Sequence, residues 1–172
     1  MNMEKREWKF TDKSKWSRGE WDNEPDKAQW TDEKTGLPCL IVRGPAGALC
    51  GYVGVAEGHR FFAKEYSSCI KDPPCEESCY EHSPGAALDV HGGITFSDFC
   101  AEDREQGICH IPAEGEPARV YWFGFDCAHS GDVSPKYDGK YGRIAEFESY
   151  KPLQYVKNQC AELARQLAGA IQ

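Results

Sequence analysis

Three short apolar runs, each carrying or followed by a histidine, constrain this chain more than any other feature. The first extends from Cys50 to Ala56 and is followed by Glu57, Gly58 and His59. The second, Ala87 to Phe96, contains Asp89, His91, Gly92 and Gly93. The third begins at Val120, runs through Trp122, Phe123 and Phe125, and leads into Asp126, Cys127, Ala128, His129, Ser130, Gly131 and Asp132. Each is rich in β-branched and aromatic residues and bounded by turn formers, the pattern of a buried strand. Strands are expected over 48–56, 87–96 and 119–127. Paired in one sheet, they bring three imidazoles and up to four carboxylates together.

The remaining periodicity is helical. Leu153, Val156, Cys160, Leu163, Leu167 and Ile171 recur at spacings of three and four, and Pro152 stands where a first helical turn tolerates it. A helix over 152–170 is expected to pack on the sheet. Leu37 to Arg43 and Ala48 to Ala56 flank Gly44-Pro45-Ala46-Gly47 and read as a hairpin. The segment from His59 to Ser68 suggests a short helix. Ile70–Pro84, Phe99–Pro117 and Asp132–Gly142 read as long connections rich in Gly, Pro and acids. The fold class that follows is α+β: one mostly antiparallel sheet of about four or five strands, with long loops and a C-terminal helix. Residues 37–172 form that domain. Residues 1–36 are polar but hold Trp8, Trp16, Trp21 and Trp30, more tryptophan than disorder carries. They read as an arm with its indoles docked on the body. A base-stacking platform is the sharper alternative, and Glu20, Asp22, Glu24 and Asp26 argue against it.

Charge narrows the partners. With 28 acidic and 20 basic residues, a net charge of −8 and no basic stripe, direct nucleic-acid binding is not expected. No run approaches the roughly 18 apolar residues of a membrane span, and Met1 to Glu7 lacks an apolar signal core. A cytoplasmic protein with no membrane partner is expected. In that compartment most of the nine cysteines are expected to be reduced, with no disulfide framework. Cys39, Cys50, Cys127 and Cys160 sit in apolar settings as small core residues. Cys69, Cys75, Cys79 and His82 are spaced C-x5-C-x3-C-x2-H. They invite a zinc reading but lack the paired C-x2-C knuckles of the strongest zinc motifs.

The candidate chemistry lies in the histidine runs. Paired glycines inside a strand mark a bulge or a close approach to the backbone, so His91 beside Gly92 and Gly93 can reach a ligand. Asp89 and His91 alternate and would share a strand face, as metal ligands or as an oriented base. Asp126, His129 and Asp132 at a strand end suit a divalent metal or acid–base work. A Cys127–His129 nucleophile pair is the weaker reading. His91, His129, Asp126 and Asp132 are the expected catalytic residues, with His59, Asp89, Gly92 and Gly93 binding at the edge and a divalent metal as the cofactor to consider. The bland alternative is a capped Asp/Ser/Gly turn and a core histidine in a bulge.

The strings Cys50–Val55 with Gly58-His59, Val90–Thr95 and Trp122–Asp132 together resemble a group of small uncharacterised proteins of bacteriophages and prophages. The resemblance covers roughly residues 20–170, and the stretch around Cys75 and Cys79 lies outside it. It implies a product working in the cytoplasm of an infected bacterium and brings no activity with it. Two functions fit the residues. One is a small hydrolase, with or without a metal's assistance, acting on a phosphorylated or nucleotide-like substrate. The other is a non-catalytic inhibitor or small-molecule sponge that blocks a host defence. The partner is accordingly a small molecule or a host protein.

Overall fold

The computed structural model describes residues 5–75, 79–100, 103–138 and 147–170. Six antiparallel strands form one sheet in the order β1-β2-β3-β4-β6-β5. They are β1 (Arg6–Trp8), β2 (Lys27–Thr31), β3 (Pro38–Arg43), β4 (Leu49–Ala56), β5 (Phe96–Phe99) and β6 (Val120–Asp126). Two helices complete the α+β fold: a single turn, α1 (Pro84–Ala87), and the long α2 (Leu153–Gly169).

Side-chain alternation along the central strands builds two cores. Ile41, Val53, Val55, Tyr121, Phe123 and Phe125 face α2, which buries Val156, Cys160, Leu163, Ala164 and Leu167 against them. The helix approaches closely at Gly51, where a β-carbon would overlap the Phe125 ring and crowd Cys160 Sγ. Leu40, Val42, Tyr52, Val120 and Trp122 form the opposite core. The connection after β5 reaches this second face. Lys27 Nζ donates to the carbonyls of Arg104, Gly107 and Cys109 at 2.6–2.8 Å, and Gln29 exchanges two hydrogen bonds with Ile111. Burial thus depresses the Lys27 ammonium to about 8, opposed by the charges of Asp103 and Glu105.

The hairpin expected around Gly44–Gly47 joins β3 to β4, and the expected helix is α2. Four expectations are corrected. Residues 5–36 do more than dock an indole on the body, as Trp21 does on Tyr150: β1 and β2 are strands of the sheet, and Glu24 Oε1 accepts the Leu153 N–H at 2.7 Å, capping α2. Residues 87–95 are not a strand. Ala87 ends α1, Gly92 and Gly93 turn with φ of +68° and +81°, and pairing begins at Phe96. The segment from His59 to Ser68 is a chain of separate turns, because Gly58 and Ala63 take positive φ and the His59 ring, not a carbonyl, accepts the Phe61 N–H. The nine cysteines are not all reduced. Cys75 pairs with Cys79, and Cys100 with Cys109, the second pair where the Lys27-pinned connection returns past the end of β5. The third expected connection, Asp132–Gly142, lies partly outside the described residues.

Candidate functional site

The turn before β5 presents the first histidine. Gly93 N–H donates to Val90 O at 2.9 Å, and the backbone N–H of His91 donates to Gln159 Oε1 of α2 at 2.8 Å. The His91 ring is held at both nitrogens: Nε2 lies 2.7 Å from Asp132 Oδ2 and Nδ1 lies 2.9 Å from the Tyr155 hydroxyl. With the Nε2 proton directed at the carboxylate, Nδ1 accepts from Tyr155, and a chain Tyr155–His91–Asp132 results.

The second histidine belongs to the turn after β6. Asp132 N–H donates to His129 O at 2.9 Å, and His129 N–H donates back to Asp132 Oδ2 at 3.0 Å. One carboxylate oxygen therefore fixes the His91 ring and the His129 backbone. The other, Oδ1, lies 3.5 Å from Lys151 Nζ. Lys151 is brought there by a bridge between Asp132 and Ser149. Asp126, the last residue of β6, lies with Oδ1 3.4 Å from His129 Nε2, and its Oδ2 accepts the Thr95 hydroxyl at 2.9 Å. The His129 contact is within ion-pair reach but lacks hydrogen-bond alignment. The two imidazole centroids are 5.9 Å apart. Gly92 permits this approach, since a β-carbon there would overlap the His129 ring.

The centre grades from interior to surface. The Asp132 side chain is 3% exposed and His91 16%, whereas Asp126 and His129 reach 31% and 36%. Burial, then the neighbouring Cys127 thiol and the Asp132 charge, pushes the Tyr155 phenol up. Burial, followed by Asp132 and then by Cys50 and Asp126, pushes the Cys127 thiol up to about 12. Cys127 is thus a buried thiol at neutral pH, and the cysteine-nucleophile reading falls.

Of the residues singled out in the sequence, His91, His129, Asp126 and Asp132 come together, with Gly92 between the rings and Gly93 shaping the turn. His59 and Asp89 do not join them. His59 Nδ1 accepts the Phe61 N–H, so Nε2 carries the proton and donates to Leu167 O at 2.9 Å, at the C-terminal end of α2. Asp89 is exposed, and its backbone N–H and carbonyl pair with Gln166. Without a strand, the alternation that placed Asp89 beside His91 has no basis. Nor do the four convergent residues form a metal cage. Among the described residues, only Cys69, Cys75 and Cys79 bring three such donors within 4.8 Å of one another. Tyr155, Lys151 and Gln159 were not singled out. Tyr155 and Gln159 stand four residues apart on α2, one turn beside its apolar stripe, and that spacing is the sequence signal for a shared face.

A concavity lies on the opposite sheet face. It encloses about 390 Å³ between Leu37, Pro38, His110, Glu116, Pro117 and Val120. Burial lowers the His110 imidazole, and its Nδ1 has no hydrogen-bond partner among the described residues.

Comparison with protein-family models, with curated proteins and with solved structures finds no match for this chain. Among the described residues, no helix is long and apolar enough to cross a membrane.

Proposed function

We propose that this chain is a small phage-type hydrolase working in the host bacterial cytoplasm, with a phosphorylated or nucleotide-like substrate held at the His91–Asp132 centre. The observation that carries the reading is the Tyr155–His91–Asp132 hydrogen-bond chain. A carboxylate that fixes one imidazole nitrogen and supports the imidazolium is the working part of an acid–base pair. In the proposed reaction an attacking water loses a proton through the Tyr155 hydroxyl to His91 Nδ1, and the proton is then returned to the leaving oxygen. Lys151 supplies positive charge for an anionic group, and His129, beside Asp126, lines the site. The Asp/His donors stand as two separate pairs, so the proposal uses no metal at this centre.

The test is release of inorganic phosphate from a panel of nucleotides and phosphomonoesters. His91→Ala and Asp132→Asn are expected to lower turnover about 10²–10⁴-fold while the thermal midpoint stays near that of the wild type. Turnover unaffected by either change would overturn the assignment.

A second reading is non-catalytic capture of a small molecule, the anti-defence sponge. The cavity beside His110 favours it: it has the volume of a small-ligand site and a buried, unpartnered ring nitrogen. Under that reading a nucleotide binds unchanged, and His110→Ala, not His91→Ala, weakens binding.

A further inference from the structure

Outside the His91–Asp132 centre and the cavity beside His110, one cluster of metal-ligating side chains has no part in the chemistry above. Cys69 Sγ lies 2.9 Å from Cys79 Sγ and 3.5 Å from Cys75 Sγ, and Cys75 Sγ lies 3.7 Å from His82 Nδ1. Cys75 and Cys79 are themselves joined. A disulfide accounts for two of these four donors. It gives no reason for a third thiol to crowd the same point, or for an imidazole to stand beside Cys75.

The backbone explains how the four arrive together. Cys79 precedes the 3-10 turn Tyr80–His82, whose N–H of His82 bonds to Cys79 O at 3.2 Å. The turn carries the His82 ring back toward the preceding loop, where its Nδ1 stands beside Cys75 Sγ. Ile70 N–H donates to His82 O at 2.9 Å and ties Cys69 beside the same turn. Cys75 comes from the intervening loop. Apart from that turn, the described residues between the end of β4 and α1 form no helix or strand, and a connection of that length needs something to hold it.

We propose that, in the reduced protein, Cys69, Cys75, Cys79 and His82 bind one zinc ion as a closed structural site. Three thiolates and one imidazole are a common tetrahedral zinc set, and soft sulfur donors select zinc over magnesium or calcium. Zinc–sulfur bonds of about 2.3 Å set tetrahedral sulfurs about 3.8 Å apart, so filling the site spreads the three thiols by about an ångström. A thiol reductant supplies the two electrons and two protons that convert the Cys75–Cys79 bridge into two thiols, and the bound thiols then release their protons on metallation. Four protein ligands leave no open position for water, so the ion staples the loop and performs no hydrolysis. His82 is followed directly by Ser83, the cap of α1, and by the segment that carries His91. The site needs neither reading under the proposed function, and its failure would leave both standing.

The experiment is metal analysis of the full chain purified under thiol reductant without chelator or added metal, followed by titration of the demetallated protein with cobalt. The expected result is one zinc per chain. Cobalt should give the intense visible bands of a tetrahedral thiolate site, removed by one equivalent of zinc. Cys69→Ser should lower zinc content at least tenfold, and Cys50→Ser should leave it unchanged. Cys69→Ser is decisive, because a simple Cys75–Cys79 disulfide does not need that thiol. If the variant does not fold, the cobalt spectrum of the wild type gives the answer alone. Reduced wild-type protein with neither zinc nor a tetrahedral cobalt spectrum would overturn the proposal, as would zinc retained by Cys69→Ser.

Discussion

At the scale of single residues, the candidate centre depends on an absent side chain as much as on those present. Gly92 has φ of +68° and lies directly over the His129 ring. Gly92→Ala imposes two separate penalties: a left-handed backbone costing about 1–2 kcal/mol for a residue with a β-carbon, and displacement of His129. The expected outcome is a modest fall in the thermal midpoint with a larger loss of whatever turnover or binding the centre supports. An alanine variant with full function would show that the closeness of the two imidazoles is incidental. Asp132 has the opposite character, since every oxygen contact it makes serves another group: His91, the His129 backbone or Lys151.

At the scale of elements, α2 is held from two directions. Its apolar stripe rests on β3 and β4, and its first turn is capped by Glu24 from the segment before β2. Leu163 is fully buried on that stripe, so Leu163→Ala should lower stability by about 2–5 kcal/mol, read as a shifted urea midpoint. An unchanged midpoint would mean that the helix does not bury this face. The helix was legible because its buried positions follow a 3.6-residue period, and β4 and β6 because each is apolar nearly throughout. β2 was not. Its buried Lys27 and Gln29 read as surface residues, and the backbone groups of the connection after β5 make their burial tolerable. The stretch from Ala87 to Ile94 misled in the other direction. Leu88, Val90 and Ile94 are buried as in a strand, but they pack as an irregular segment whose glycines turn the chain. The candidate centre was half legible for the same reason. Histidines and aspartates at run ends announce themselves, whereas Tyr155 reaches the site only through the tertiary placement of α2, and Lys151 only through the bridge between Asp132 and Ser149.

At the scale of the whole molecule, a buried ionic cluster joins the first thirty residues to the hairpin. Asp26 accepts the backbone N–H groups of Phe10 and Thr11, Lys13 Nζ lies 2.8 Å from its Oδ1, and Arg43 Nε donates to the same oxygen at 2.8 Å. Burial alone would raise this carboxyl; the bonds from Lys13, Thr11, Phe10 and Arg43 outweigh it and hold it below the usual range. A depressed carboxylate binds fewer protons folded than unfolded, so its stabilisation is full above the unfolded value of about 4 and is lost as pH falls through the folded value. Asp26→Asn should therefore lower stability near neutral pH by about 3–5 kcal/mol and flatten the loss of stability below about pH 4. Equal acid sensitivity in both proteins would place the acid trigger elsewhere. The order of elements along the chain has a consequence for synthesis. All six strands precede α2 in the chain, so the apolar face formed by Ile41, Val53, Phe123 and Phe125 has no cover until α2 emerges from the ribosome. A nascent chain emerged only as far as the start of α2 would present that face to the cell, and chaperone engagement should peak there and end once α2 docks.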